Sequence, residues 1–188
     1  MRITGGHISG RKLCSPKDLN IRPTSDRVRE AIFNIIGHDL SNMKVLDLFA
    51  GIGSLGLEAL SRNAKNALFI DNSQKAINLI KKNLVQCGYV DIGQILRRDL
   101  KKGLLQNHLF KHETFDLVFI DPPYRKDYLP SLLEQLSEEE ILSANAKVIA
   151  ESSKHEVLSS FYGDLEMSDI RIYGDTKINI YKKMRKKV

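Results

Sequence analysis

The sequence predicts an α/β fold with a mostly parallel sheet, and three observations support this prediction. First, short apolar runs alternate with longer segments in which apolar residues recur every three or four positions, which is typical of successive β-α units. Second, residues 115–120 form an apolar run broken only by Asp116, as expected of a strand buried on both faces of a parallel sheet. Third, two alternating segments flank Gly174 and Asp175, which predicts a closing antiparallel hairpin.

Length and composition fit one domain, residues 1–188, with an apolar fraction of 42% that is sufficient for a substantial core. No apolar stretch reaches the roughly 18 residues that a membrane-spanning helix needs, and residues 1–12 lack the apolar centre of a signal peptide. Cys14 and Cys87 form no C-x-x-C motif, so free thiols are expected. These features predict a cytoplasmic protein.

Basic charge is concentrated at the two ends of the chain. Of the net charge of +6, residues 1–30 contribute seven Lys or Arg against three acids, and residues 181–188 contribute five Lys or Arg and no acid. Such segregation indicates a polyanionic partner that the termini contact. For the basic tail at 184–188, a solvated end that contacts nothing is an equally open interpretation.

The N-terminal elements are predicted as a hairpin followed by a helix. Weak alternation and turn glycines in residues 1–14 predict a short hairpin, whose outward cations would be Arg2, Arg11 and Lys12. A proline-containing loop leads to Ser25 as a helix N-cap, and the helix ends at Gly37. The apolar stripe of this helix must pack on something. Residues 1–37 are therefore expected to be attached to the core, residues 44–183.

The core alternates strands and helices in an order that fits four or five β-α units. Strands are predicted at 44–49, 67–71, 92–97, 115–120 and 147–151, followed by hairpin strands at 167–173 and 177–182. Helices are predicted at 55–62, from a cap at Ser73 to Gly88, around the leucines of 129–136, and briefly at 155–161.

A glycine loop follows the first predicted strand. Residues 51–56 (GIGSLG) match G-x-G-x-x-G between a strand and a helix, and Asp71 lies 20 residues beyond Gly51, where a ribose-binding acid is expected. This pattern alone would also suit a nicotinamide dinucleotide. Asp47, just before the loop, argues otherwise, because its charge disfavours a pyrophosphate and favours a cofactor that carries an ammonium and a sulfonium.

The fourth strand ends in Asp121-Pro122-Pro123-Tyr124. Two prolines cannot continue a sheet ladder, so a stiff turn is predicted at the carboxyl end of a strand, where open α/β sheets place their ligands. The Asp121 carboxylate and the Pro122 carbonyl can accept both hydrogens of an exocyclic NH2 group, and Tyr124 can stack on its ring. The turn therefore suits a planar substrate that carries an amino group.

Both motifs resemble those of methyltransferases that use S-adenosylmethionine. The run VLDLFAGIGSLGLEAL is similar to the first motif of the class I enzymes, and DPPY resembles the [DNS]-P-P-[YFW] motif of amino-methyltransferases. The resemblance implies a Rossmann-like fold with a seven-stranded sheet that ends in an antiparallel hairpin. It also implies cofactor contacts from Asp47, Phe49, Ala50, Gly51, Gly53, Asp71, Asn72, Asp99 and Leu100.

The roles implied by this resemblance differ along the cofactor. Asp47 would face the methionine end, Asp71 would take the ribose hydroxyls, and Asn72 would adjoin the adenine. Asp99 and Leu100 would approach the adenine amino group and ring. Two structural interpretations stay open: Gly56 would simply permit close helix–sheet packing, and Asp99 would be an N-cap.

The chain also resembles the RsmD family over nearly its whole length, in MRITGGHISGRKL, RPTSDRVREAIFNII, FDLVFIDPPY and YGDTKINIY. Enzymes of that family methylate the N2 amino group of one guanine in bacterial 16S rRNA, so the resemblance implies that rRNA and the small ribosomal subunit are the partners. It places Thr24 and Asp26 beside the cofactor's amino-acid end. Its candidates for RNA phosphates are Arg2, Arg11, Lys12, Arg22 and Arg27. Asn63 and the pair Asn72-Ser73 depart from the usual family residues.

Other functions remain open at this stage. A DNA adenine-N6 methyltransferase has the same site logic, but the chain has no room for a separate target-recognition domain. A protein-glutamine methyltransferase would normally have Asn in place of Asp121, and a dinucleotide oxidoreductase fits the glycine loop alone. A non-catalytic RNA-binding assembly factor would be expected to have lost some of these acids. His108 and His112 lack a third ligand, so no metal is expected, and a monomer is expected.

Overall fold

The computed structural model describes residues 1–15, 26–104, 113–123, 128–138 and 140–184. Several residues that the sequence singles out lie outside these ranges: Arg22, Thr24, Ser25, His108, His112, Tyr124 and most of the basic tail. The chain divides into two compact units, residues 1–98 and residues 99–188. No helix of the described residues is long and apolar enough to cross a membrane.

The described residues of the first unit form three parallel strands and three helices. In chain order these are α1 (Asp26–Ile36), β1 (Lys44–Leu48), α2 (Ser54–Ser61), β2 (Asn66–Asp71), α3 (Gln74–Cys87) and β3 (Gly93–Arg97). Strand β2 lies between β1 and β3 and is parallel to both. Because parallel strands end at the same edge of a sheet, the residues that follow β1 and β2 are neighbours.

The ends of α3 follow the caps that the sequence predicts. The Ser73 hydroxyl accepts a hydrogen bond from the Ala76 N–H at the first turn, and Gly88 ends the helix in a left-handed conformation with φ of 76°. A Cβ atom is strained at that φ, so glycine suits this position. Both predicted ends of α3 are confirmed.

The N-terminal hairpin (residues 1–14) packs against the other elements of this unit. Arg2 and Lys12 pair in antiparallel fashion, and the Ile3 N–H donates to the Arg11 carbonyl over 2.9 Å. The side chains of Ile3 and Leu13 are buried, whereas those of Arg2, Arg11 and Lys12 are exposed. The predicted hairpin with outward cations is therefore confirmed.

A buried carboxylate on α2 anchors the hairpin. Glu58 is fully buried and accepts hydrogen bonds from the Thr4 N–H at 2.7 Å and the Thr4 hydroxyl at 2.9 Å. It also forms ion pairs with Arg29 of α1 at 3.3 Å and with Arg62 at 2.9 Å. Because removal of one partner would leave a buried charge uncompensated, this cluster holds the hairpin, α1 and α2 together.

In the described part of the second unit, two parallel strands are followed by three antiparallel ones. Its elements are a short 3-10 helix (Leu100–Lys102), β4 (Phe115–Ile120), α4 (Tyr128–Glu138), β5 (Leu142–Ser153), β6 (Phe161–Tyr162), β7 (Leu165–Tyr173) and β8 (Thr176–Lys183). Strands β4 and β5 are parallel, β8 pairs antiparallel with β5, and β7 lies between β8 and β6. Gly174 turns between β7 and β8 with φ of 63°, which confirms the predicted hairpin.

Two details of the second unit differ from the expectation. The short helix predicted at 155–161 is wrong, because the β7–β8 hairpin holds both ends of this segment. The Lys154 N–H, just before it, donates to the Asp175 carbonyl in the turn between β7 and β8, and the Ser160 carbonyl accepts from the Met167 N–H of β7. Strand β6 is additional to the seven predicted strands, so the described residues form eight strands. A two-residue strand is too short to produce a recognisable alternation.

Candidate functional site

The loop after β1 turns sharply toward α2. Phe49, Gly51 and Gly53 all have positive φ, of 58°, 59° and 81° respectively. Phe49 is notable because a residue with a side chain rarely adopts this conformation, and such strain is concentrated at functional sites. Hydrogen bonds from the Ala50 N–H to the Ile70 carbonyl, 3.0 Å, and from the Gly53 N–H to the Ala50 carbonyl, 2.7 Å, hold the turn.

Asp47 lies buried beneath this loop. Its side chain is only 1% exposed, and its carboxylate accepts a hydrogen bond from the Gly56 N–H over 2.9 Å. Burial raises the pKa of Asp47 to about 7. The hydrogen bond from the Gly56 N–H opposes this rise, and the nearby Asp71 carboxylate adds to it. A buried carboxylate of this kind gains most from a cationic neighbour.

Gly56 brings α2 close to both β1 and β2. A Cβ atom on Gly56 would lie 2.3 Å from the Phe69 ring and 3.1 Å from the Asp47 carboxylate. The packing interpretation of Gly56 is thus confirmed, but the same closeness also lets its N–H reach Asp47. Any larger residue would separate the donor from this carboxylate.

Asp71 joins the end of β2 to the glycine loop. One carboxylate oxygen accepts from the Gly51 N–H and the other from the Ser73 N–H, both over 2.9 Å. Asn72 has an exposed side chain, and its carbonyl accepts from the Arg97 guanidinium over 3.0 Å. Asp47, Phe49, Ala50, Gly51, Gly53 and Asp71 are therefore brought together at one edge of the first unit.

Asp99 and Leu100 lie at the start of the second unit. The Asp99 carboxylate caps the short 3-10 helix by accepting from the Lys101 N–H over 3.1 Å, so the N-cap interpretation is confirmed. Leu100 is buried at 4% exposure. One Asp99 oxygen accepts this bond, and a carboxylate offers further acceptor positions for a ligand.

The catalytic candidates follow β4 of the second unit. Asp121 is partly exposed, Pro122 is buried and Pro123 is exposed. Pro122 and Pro123 end the strand because neither can donate to a ladder. Because β4 ends at Ile120, this turn lies at the carboxyl end of the strand, as the sequence predicts. Tyr124 lies outside the described residues.

Comparison with known proteins identifies the family. A family model described as "Conserved hypothetical protein 95" matches residues 1–182. The Escherichia coli K12 protein named "Ribosomal RNA small subunit methyltransferase D" is 31% identical over 183 residues, covering 97% of this chain and 90% of that protein. The chain belongs to the RsmD family. This finding confirms the resemblance that the motifs indicate, and it makes the chain a methyltransferase.

Two further proteins are similar to this chain over almost their whole length. The "Putative rRNA methyltransferase YlbH" of Bacillus subtilis is 39% identical over 184 residues, which are 97% of this chain and 99% of that protein. The solved structure of "Putative methyltransferase yhhF" from Escherichia coli superposes with a TM-score of 0.85 at 32% identity and covers 98% of both chains. The Rossmann-like methyltransferase fold is thereby confirmed.

Asp26 has protein partners in this RsmD-family chain. Its carboxylate pairs with Arg29 at 3.0 Å and with Arg2 at 3.7 Å. Arg2 is thus partly neutralised, although its side chain is 66% exposed. Arg11, Lys12 and Arg27 are exposed as well. The cofactor role of Asp26 stays a prediction.

Glu58 and Asn83 are among the buried polar residues that were not singled out from the sequence. Glu58 anchors the N-terminal hairpin, and Asn83 of α3 is fully buried and hydrogen-bonded to both the hairpin and the glycine loop. The available signal was positional: Asn83 falls between Ile80 and Leu84 within the apolar stripe of α3. A polar side chain in such a stripe needs buried partners.

Proposed function

We propose that the chain methylates the N2 amino group of a specific guanine in bacterial 16S rRNA, with S-adenosylmethionine as the methyl donor. The observation that carries this proposal is Asp121-Pro122-Pro123 at the carboxyl end of β4 in a member of the RsmD family. The reaction belongs to maturation of the small ribosomal subunit, and the enzyme works in the cytoplasm, where that subunit is assembled.

The first unit has the groups that such a cofactor needs. When bound, S-adenosylmethionine supplies a methyl group on a positively charged sulfur. The buried Asp47 carboxylate fits the cofactor's ammonium, because a cation would compensate the charge that burial disfavours. The Asp71 carboxylate accepts hydrogen bonds from the ribose hydroxyls beside the glycine loop. The remaining contacts proposed for the first unit are Thr24 and Asp26 at the amino-acid end and Asn72 near the adenine. Asp99 and Leu100, which begin the second unit, are proposed as adenine contacts on the family resemblance.

The raised pKa of Asp47 predicts that cofactor affinity depends on pH. An adjacent ammonium lowers this pKa, so binding below pH 7 must release a proton, and acid must weaken binding. The dissociation constant should rise about tenfold from pH 7 to about pH 5.5. Calorimetry in buffers of different ionisation enthalpy measures both the affinity and the released proton.

Asp47→Asn is the control for this pH dependence. The variant should bind more weakly at pH 7, and its affinity should be nearly independent of pH over the same range. Equal pH dependence of cofactor affinity in both proteins would remove Asp47 from the cofactor site.

Asp47 also makes stability depend on pH. In the free protein its folded-state pKa lies above the unfolded value, so ionisation of Asp47 costs stability as the pH rises toward 7.

The Asp121-Pro122 turn supplies the chemistry at the target base. The lone pair of a guanine N2 is delocalised into the ring, so the amino group is a poor nucleophile until it becomes pyramidal. Hydrogen bonds from the amino group to the Asp121 carboxylate and the Pro122 carbonyl favour that form and aim the lone pair at the methyl carbon. When bound S-adenosylmethionine supplies its methyl group to this nitrogen, Asp121 would stabilise the positive charge that develops on the amino group, and the extra proton would leave to solvent.

Access to this turn requires an unstacked base. A guanine within a helix cannot bring its amino group to a pocket, so the target nucleotide is looped out or flipped. Tyr124 then stacks on the guanine ring, while Pro123 keeps the turn stiff. We propose 16S rRNA as the substrate, either free, in an assembly intermediate or in the 30S subunit, and a monomer as the acting form of the enzyme.

The N-terminal hairpin and its neighbours form the RNA-contacting surface, with Arg2, Arg11, Lys12, Arg22 and Arg27 as phosphate contacts. Replacing Arg11 and Lys12 with Ala should weaken RNA binding and lower the slope of log affinity against log salt by about 1.5, because two phosphate contacts are lost. Affinity for S-adenosylmethionine should stay the same. Filter binding at several salt concentrations measures the slope.

A matched control removes two cations that acids already neutralise. Lys154 pairs with Asp175 at 2.7 Å and Arg171 pairs with Asp169 at 3.0 Å, so the double variant Lys154→Ala with Arg171→Ala should keep the wild-type slope. If the Arg11 and Lys12 variant also keeps that slope, these two side chains do not contact RNA.

Methyl transfer from labelled S-adenosylmethionine tests the proposed function directly. Unmethylated 30S subunits, free 16S rRNA and duplex DNA are offered in parallel, and product nucleosides are identified. N2-methylguanosine in rRNA is the expected product. Label in DNA adenine would replace the proposal with a DNA methyltransferase, and cofactor binding without any transfer would favour a non-catalytic assembly factor.

A further inference from the structure

Asn83 makes three hydrogen bonds with the backbone of two distant segments. It is fully buried on α3. Its side-chain carbonyl accepts from the Cys14 N–H over 2.7 Å, and its NH2 group donates to the Cys14 carbonyl over 3.2 Å and to the Ile52 carbonyl over 3.0 Å. Cys14 ends the N-terminal hairpin, whereas Ile52 lies between the glycines of the cofactor loop.

The orientation of this amide depends on the hairpin. The Cys14 N–H needs an acceptor, so the Asn83 oxygen must face it, and this leaves the NH2 group toward the two carbonyls. The paired bonds with Cys14 therefore fix the amide plane that points the remaining N–H at Ile52. If the hairpin moves away, the Asn83 side chain is free to rotate, and the loop loses a donor of fixed direction.

We propose that Asn83 is a positioning residue that couples seating of the N-terminal hairpin to the conformation of the glycine loop. Seating of the hairpin prepares the loop for the cofactor, and cofactor binding in turn stabilises the seated hairpin, because coupling between two sites is reciprocal. The inference rests on the proposed function, in which the hairpin contacts RNA and the loop holds S-adenosylmethionine. Its consequence is that the cofactor-loaded enzyme presents a better ordered hairpin to RNA.

Gln86 provides the comparison that separates coupling from simple anchoring. Its side chain donates to the Lys12 carbonyl over 2.7 Å and accepts from the Cys14 thiol at 3.2 Å. Gln86 thus holds the same hairpin against the same helix, one turn after Asn83. Its described hydrogen bonds do not include the glycine loop, so it can anchor the hairpin without transmitting anything to that loop.

Hydrogen exchange of the full chain, with and without saturating S-adenosylhomocysteine, tests the coupling. In the wild type the ligand should slow exchange of the Leu13 and Cys14 amides severalfold. In Asn83→Ala the ligand should leave their exchange unchanged, and its dissociation constant should rise about tenfold through loss of a buried hydrogen bond. In Gln86→Ala both amides should exchange faster, but the ligand should still slow them.

Three outcomes would overturn the coupling. The ligand could leave hairpin exchange unchanged in the wild type, a result that needs no variant and therefore stands even if Asn83→Ala does not fold. The ligand could slow hairpin exchange equally in Asn83→Ala, which would make Asn83 a structural residue only. The wild type could fail to bind the ligand, which calorimetry would reveal beforehand and which would overturn the proposed function as well.

Discussion

Asp121→Ala is expected to lower the rate of methyl transfer by about a hundred- to a thousandfold, the usual effect of removing one preorganised electrostatic contact to a transition state. Affinity for S-adenosylmethionine should change by less than about twofold. Asp121 is proposed to contact the guanine amino group in the transition state, and ground-state binding of the cofactor does not depend on that contact. Single-turnover measurements with saturating 30S subunits give the rate, and calorimetry gives the affinity. Asp121→Asn should lose less activity, because its amide oxygen remains an acceptor while the charge is removed.

Asp116 supplies a matched control for this substitution. It lies on β4, the strand that leads into Asp121, and its carboxylate accepts a hydrogen bond from the Ser143 hydroxyl over 2.6 Å. Asp116→Ala should therefore retain the wild-type single-turnover rate once the protein is folded and bound. Near-normal turnover in Asp121→Ala would show that positioning by Pro122 and Tyr124 is sufficient, and the proposed role of the carboxylate would be wrong.

The local features of the fold were predictable because they depend on nearby residues. Helix α3 begins at a cap by the Ser73 side chain and ends at Gly88, which has a left-handed conformation. Both features involve residues within one helical turn. Gly174 turns β7 into β8 for an equally local reason. Where another element holds a backbone segment, as the β7–β8 hairpin does at 155–161, the same reasoning predicts a helix that the structure does not have.

The cofactor half of the candidate site was also largely predictable. Asp47 and Asp71 could be placed at the same edge because both lie at or near the ends of adjacent parallel strands. Their environments could not be predicted. The burial that raises the pKa of Asp47 and the two N–H donors that Asp71 accepts arise from the close approach of α2 and from the path of the glycine loop.

The attachment of the N-terminal hairpin was beyond sequence reasoning in its details. The apolar stripe of α1 indicates that the N-terminal region packs on the core, but Thr4 and Glu58 are separated by 54 residues, and Cys14 and Asn83 by 69. Neither pair belongs to a motif. Each became recognisable only when a buried polar side chain was traced to its partners, since such groups are almost always hydrogen-bonded.

The largest expected effect on stability comes from Glu58→Ala. Its carboxylate accepts bonds from Thr4, Arg29 and Arg62, and the side chains of Arg29 and Arg62 are themselves buried. Removal of the carboxylate leaves two buried guanidinium groups without their shared partner, which should cost about 3 to 5 kcal/mol of unfolding free energy. Urea unfolding of both proteins gives this difference in unfolding free energy, provided that the m-value, the dependence of that free energy on urea concentration, is the same in both.

Glu30 on α1 is the matched control, because it is an exposed glutamate near the same cluster in sequence. Glu30→Ala should change the unfolding free energy by no more than about 0.5 kcal/mol. Glu58→Ala should also expose the hairpin selectively, since Thr4 loses both acceptors, so limited proteolysis should cleave within residues 1–14 before the rest of the chain. A loss below about 1 kcal/mol would mean that Arg29 and Arg62 find other partners, and that the hairpin is held mainly by burial of Ile3 and Leu13 rather than by the Glu58 carboxylate.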